Sequence, residues 1–197
     1  MLLHRNYRYI RLFLIAIPVV IFFWLIAKDF AFSGKLDLSY DFSHDSPFVK
    51  RPWPPGRFHD IEYDKVTRDY FQRMFVEPAT FAVKLPRKFK SATVEVLYKK
   101  DAAQPLRVGI RMHPEKWAWE IRELEVLGEE NGWTRGRVRF VDIDRAAFNS
   151  KLQFLLNAPG LFENKREVAL TEIRVVVEKD PITFSNFLPR LWGYLRS

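Results

Sequence analysis

The sequence predicts an all-β protein: an antiparallel two-sheet β-sandwich spanning residues 78–180, placed outside a membrane and preceded by one N-terminal transmembrane helix. Three observations carry this reading. An uncharged apolar run stands near the start, from Leu12 to Ala27. Beyond Pro78, apolar side chains recur at every second position in run after run, as strands with one wet face require. The 197-residue chain has no cysteine, so neither disulfides nor thiolate metal sites hold the folded part together and it needs a core of its own.

Residues 1–11 read as a cytoplasmic stub and 12–29 as the membrane helix. With Tyr9, Ile10 and a snorkelling Arg11 added, about 19 residues at about 1.5 Å each reach roughly 28 Å, enough for a hydrocarbon core of about 30 Å. Pro18 is tolerated mid-span, and Trp24, Tyr7 and Tyr9 fall where an interfacial aromatic belt puts them. A cleaved signal peptide is the competing reading, because a basic start before an apolar run fits both. The run is longer than a usual signal core, and Ala31-Phe32-Ser33 is a weak cleavage site. Arg5, Arg8 and Arg11 precede the span without an acid, whereas Lys28 and Lys35 follow it among Asp29, Asp37, Asp41 and Asp45. The positive-inside rule then places the N-terminus in the cytoplasm and the C-terminal domain in a periplasm or outside the cell.

The net charge of +8 is unevenly spread. The first 27 residues carry +3 and the last 17 carry +2 from Arg190 and Arg196, leaving +3 for the middle of the chain. Base concentrated where lipid headgroups would lie argues against nucleic acid as a partner.

Residues 30–77 are predicted as an extended segment, rich in proline and aromatics, packed on the domain. In SHDSPFVKRPWPPGRFHD four prolines exclude a helix, while Phe42, Phe48, Trp53 and Phe58 are expected to be buried. Asp60 to Val76 is open between a short helix with Tyr63, Val66, Tyr70, Phe71 and Met74 on one face and a pair of strands. In TFAVKL, Phe81, Val83 and Leu85 form a buried row; in SATVEVLY, Ala92, Val94, Val96 and Tyr98 do so; in LRVGIRM, Leu106, Val108, Ile110 and Met112 face away from Arg107, Gly109 and Arg111. IRELEVL, WTRGRVRFV, KLQFLLN and VALTEIRVVVE each have strand length, and turn residues separate them. Strands without recurring helices between them are expected to close as a sandwich. The tail, 181–197, repeats Phe184, Phe187, Leu188, Leu191, Trp192 and Leu195 at helix-like spacing, and is too short to span a bilayer. A place in the membrane interface, on a partner protein, or on its own sandwich fits equally.

Positive signs of catalysis are missing. His4, His44, His59 and His113 have no metal-ligand spacing, and the chain holds no GxSxG, no HExxH and only eight glycines with which to cradle phosphate. His44-Asp45-Ser46 sets three triad residue types side by side, which is not how triads are assembled. No enzymatic activity is expected. The remaining feature is aromatic: Trp117 and Trp119, two apart, share a face if extended, beside Glu115, Lys116, Glu120 and Arg122. Aromatic faces beside hydrogen-bonding charges hold sugar rings, though Trp side chains also cap sandwich cores, and Trp53 and Trp133 face the same choice.

LRVGIRM and the run KLQFLLNAPGLFENKREVALTEIRVVVEKD resemble the final strands of galactose-binding-like jelly rolls, a class that includes carbohydrate-binding modules and discoidin-type lectins. The resemblance covers roughly residues 80–180, resting on Leu152, Phe154 and Leu156 and on Ile173, Val175 and Val177. It implies a jelly-roll sandwich. Jelly-roll domains often hold a structural calcium, for which Asp142 and Asp144 are candidate loop ligands with Glu129, Glu130 and Asn131 as additional ones; solvated loop acids and a solvated turn are the alternative, and no other cofactor is expected.

Two functions follow. The main expectation is a membrane-anchored accessory or structural subunit of a cell-envelope complex, bound to the bilayer through its N-terminal helix and to a protein partner through the sandwich, the proline segment and the tail. The alternative is a membrane-tethered carbohydrate-binding module for envelope glycan, with Trp117, Trp119, Arg107, Arg111, Arg135 and Arg137 as contacts.

Overall fold

The computed structural model describes residues 13–20, 34–86, 88–99, 105–113 and 116–180. Residues 13–20 form a helix whose apolar side chains, Phe13, Leu14, Ile15 and Val20 among them, are exposed. Among the described residues no helix is long and apolar enough to cross a membrane. The rest of the 12–29 helix, and the whole tail with Phe184, Phe187, Leu191, Trp192 and Leu195, lie outside the described residues.

Leu36–Lys179 form one unit, which corrects the domain boundary expected at residue 78. Three strands from the preceding segment belong to the sandwich: β1 (Lys35–Tyr40), β2 (Glu62–Asp64) and β3 (Asp69–Met74). Of the two readings of Asp60 to Val76, the structure takes the strand pair. Tyr63 and Tyr70 are cross-strand partners with ring centroids 5.1 Å apart, and Val66, on the expected helix face, is exposed in the turn.

The remaining strands are β4 (Ala79–Lys84), β5 (Ser91–Lys99), β6 (Arg107–Arg111), β7 (Trp119–Glu123), β8 (Glu125–Glu130), β9 (Trp133–Val141), β10 (Lys151–Asn157) and β11 (Val168–Glu178). One sheet runs β2-β3-β11-β5-β9-β8, with β1 also on β11; the other runs β4-β10-β6-β7. Every pair with a determined register is antiparallel. Without β1, β2 and the hairpin strand β8, the sheets are β3-β11-β5-β9 and β4-β10-β6-β7. That strand order is the double Greek key of a jelly roll.

The predicted alternation sets the core. Phe81, Val83, Val108, Ile110, Leu152, Phe154 and Leu156 point inward from the smaller sheet, against Val94, Val96, Phe140, Ile173, Val175 and Val177 from the larger. Phe154 stacks on its cross-strand partner Phe81 at 5.1 Å and meets Phe140 of the facing sheet at 6.3 Å.

IRELEVL, expected as one strand, is two. β7 belongs to the smaller sheet and β8 to the larger, and the chain changes sheet at Leu124. Gly136 makes the crossing possible, because a Cβ there would lie 2.9 Å from Leu124 Cβ and 3.2 Å from Tyr98 Cε1. Gly136→Ala should therefore lower stability by about 1–3 kcal/mol, read as a fall in the denaturant midpoint, since overpacking has no room to relax.

The proline segment runs extended along the edge of the smaller sheet. Its backbone adds an irregular fifth strand outside β4: Trp53 and Thr80 exchange hydrogen bonds of 2.7 and 2.8 Å, and Lys84 N donates to Phe48 O at 2.7 Å. An edge is where a chain with few N–H donors fits a sheet. The expected burial of its aromatics holds for Phe42 and Phe58 only; Phe48 is 46% exposed and Trp53 66%. Both lie on this edge, where no further strand among the described residues covers them.

The connection from β10 to β11 is fastened by Glu77. Its carboxylate accepts hydrogen bonds from the backbone N–H groups of Gly160 at 2.6 Å, Leu161 at 3.2 Å and Phe162 at 3.4 Å. Glu77→Ala leaves these donors without their acceptor, and thermal melts should show a loss of about 1.5–3 kcal/mol.

Candidate functional site

The sandwich presents two wet faces, and the sequence-predicted contacts are divided between them. Arg135 and Arg137 stand on β9, on the outer face of the larger sheet. Arg135 lies 3.9 Å from Glu95 and 3.8 Å from Glu172, and Arg137 lies 3.8 Å from Glu95. Arg174 extends the ladder to Glu95 at 3.9 Å and donates Nε–H to Asp37 at 2.9 Å. Hydrogen bonding and attraction from the Asp37 carboxylate raise this guanidinium above its ordinary pKa, against partial desolvation. Charges answered across neighbouring strands stabilise the sheet itself. Arg135 and Arg137 thus do not share a surface with Trp119, a correction that follows from β9 and β7 belonging to different sheets.

The smaller sheet's outer face gathers the rest. Antiparallel pairing sets Trp119 beside Arg111 and Glu123 beside Arg107, while Gly109 lies between Leu155 and Ile121. Arg107 is occupied, its Nη2 donating to Glu123 at 2.7 Å. Arg111 is the hub: Nη1–H donates to Gln153 Oε1 at 2.8 Å, Nε–H donates to the His113 carbonyl at 3.2 Å, and the guanidinium carbon sits 4.7 Å from the Trp117 ring centroid. Trp117 is 78% exposed. It precedes β7 rather than extending it, so the two tryptophans are related through Arg111 and not by strand periodicity. Trp133, by contrast, is buried, with Lys99 Nζ 4.7 Å over its ring and the Phe71 ring 5.9 Å away, and it stands apart from the main core cluster.

Beside Arg111 opens a cavity of about 230 Å³ lined by Arg111, Ala146, Phe148, Asn149, Lys151 and Gln153. A second, of about 360 Å³, adjoins it through Asn149 and Lys151 and reaches Phe48 and Lys84. The sequence reading missed Gln153, Lys151, Lys84 and Phe148. For the first three, a signal was present: they occupy the wet positions of KLQFLLN and TFAVKL, whose buried positions were recognised. Phe148 stands in a tight turn, for which no pattern existed.

Asp142 precedes a 3-10 turn, Ile143–Arg145, and Asp144 lies within it; Ile143 is buried and donates its N–H to Lys90 O at 3.1 Å. Among the described residues no group of three His, Cys, Asp or Glu is placed to hold a metal ion, so the two carboxylates have no third protein ligand of that kind.

No family model and no curated protein matches the sequence. Among solved structures, the chain is similar to the xylan-binding CBM22-1 domain of Paenibacillus barcinonensis Xyn10C, at 11% identity over 73% of this chain and 94% of that one, with a TM-score of 0.48. It is also similar to the CBM35 domain of Cellvibrio japonicus Abf62, at 11% identity over 74% and 99% with a TM-score of 0.45. The C-terminal CBM6 domain of the Zobellia galactanivorans laminarinase LamC matches at 10% identity over 72% and 98%, with a TM-score of 0.42. Identities and scores are low, so the jelly-roll assignment rests on the strand order and any ligand on the residues of this chain.

Proposed function

We propose that the sandwich is a non-enzymatic carbohydrate-binding module that takes glycan on the outer face of its smaller sheet. One observation carries this: Trp117 is left open to solvent beside a guanidinium fixed by Gln153, with Trp119 on the adjoining strand. A large ring held in the open next to oriented hydrogen-bonding groups suits a sugar, whose CH face stacks and whose rim donates and accepts. The accessory-subunit reading rested on the ordered proline segment, the tail and the lack of a recognisable ligand site; the tail lies outside the described residues, and the Trp117–Arg111 arrangement supplies a candidate ligand site. A tether at residues 12–29, with the module on the far side of a membrane, is part of the proposal and rests on the uncharged run and the Arg5, Arg8 and Arg11 flank.

The test is a polysaccharide panel run against the full chain in mild detergent by affinity electrophoresis, with tryptophan fluorescence as a second readout. Retardation by at least one glycan with a shift in emission is expected. Retention by none overturns the reading.

A further inference from the structure

Lys84 and Lys151 are direct cross-strand partners on β4 and β10, a placement in which like charges repel. On the opposite face of the sandwich the arginines are met by Glu95, Glu172 and Asp37. Here the pattern breaks: among the described residues neither lysine ammonium has an ion-pair or hydrogen-bond partner, and no carboxylate lines either adjoining cavity. Lys151 lines both cavities and Arg111 lines one, so three cations border one continuous depression.

The depression is built at some expense in backbone conformation. Phe148 and Lys151 exchange backbone hydrogen bonds of 2.9 Å around Asn149 and Ser150, which both take left-handed conformations, φ 48° and 57°. Serine adopts that region reluctantly, and such strain concentrates where a turn must aim particular side chains. This turn holds the exposed Phe148 ring over one cavity and starts β10 at Lys151, while Phe48 borders the other. Aromatic edges around an uncompensated positive centre fit a sugar ring bearing a carboxylate.

We infer that Lys84 and Lys151 form an anion subsite, and that the glycan taken by this module is acidic, with a uronic acid residue seated between the two lysines and its neighbours running on to Arg111 and Trp117. The inference rests on the glycan-binding reading above. A charge-assisted contact from each ammonium replaces their mutual repulsion when the carboxylate arrives.

Alginate, polygalacturonate and glucuronoxylan are the probes, each paired with its carboxyl-reduced neutral form and offered to the full chain in mild detergent. For at least one polymer the acidic form should bind about 10-fold more tightly than its reduced form, the worth of one to two charge-assisted contacts. That preference should shrink as NaCl rises from about 50 to 500 mM. In the Lys84→Gln/Lys151→Gln variant it should fall to about 2-fold or less, without loss of melting temperature, because a like-charge pair is being removed. Equal binding of acidic and reduced forms, or a preference that survives in the variant, overturns the subsite while leaving the glycan reading intact. Binding of no polymer in either form overturns the subsite, and retention by no member of the wider polysaccharide panel overturns the glycan reading as well. Lysine-dependent binding to phosphatidylglycerol vesicles in place of any uronate polymer assigns the strip to lipid headgroups and overturns the acidic-glycan assignment.

Discussion

Phe154→Ala is expected to cost about 3–5 kcal/mol, the largest stability loss of any single change considered for this sandwich. Phe154 is fully buried near the centre of β10. Its ring stacks on Phe81 within its own sheet, nearly parallel at 18° between planes, and reaches Phe140 across the core. Truncation therefore removes an intrasheet stack and an intersheet contact together and leaves a cavity lined by rigid strands, which collapse poorly into the space. A urea titration should show the midpoint falling with little change in slope, as expected when stability changes and the surface exposed on unfolding does not. A loss under about 1 kcal/mol would mean that the two sheets are not joined through this side chain.

Trp117→Ala should have the opposite profile. The ring is exposed and supports nothing in the core, so the melting temperature should stay within the scatter of surface substitutions, about 0.5 kcal/mol. Glycan affinity should fall about 30-fold, the worth of an aromatic contact of about 2 kcal/mol. Trp117→Phe should recover part of the binding by keeping a stacking face. Arg111→Ala should weaken binding as well, because the guanidinium both borders the cavity and lies against the indole. Affinity electrophoresis of the variants beside the parent protein decides this, and unchanged mobility of Trp117→Ala would move the site away from this face.

Burial of the strands was legible because period two says directly which side chains point inward. Ala92, Val94, Val96 and Tyr98 are buried, as are Ile173, Val175 and Val177. Which sheet a strand joins is not written in that period. Arg111 and Arg137 both read as wet positions, and only strand pairing puts one beside Trp119 and the other beside Glu95. The break at Leu124 was hidden for the same reason: Ile121, Leu124 and Val126 are apolar in sequence, and the change of sheet is imposed by the space over Gly136. Phe48 and Trp53 were misread because an aromatic in a proline-rich stretch says that the chain is ordered, without saying that the ring is covered. Asn149 and Ser150 carry no glycine to betray their left-handed turn, so the aiming of Phe148 and Lys151 was out of reach.

The position of β11 has a consequence for how the protein is made. This strand is the last among the described residues, yet it lies inside the larger sheet, with β5 along one side and both β3 and β1 on the other. A nascent chain that has emerged only as far as β10 holds β5, β3 and β1 with open edges and no strand to join them. Such pairings, long in sequence, close slowly, and open edges invite association between chains. The domain therefore completes itself only after Glu178 is available, and a chain cut within β11 loses far more than its final residues.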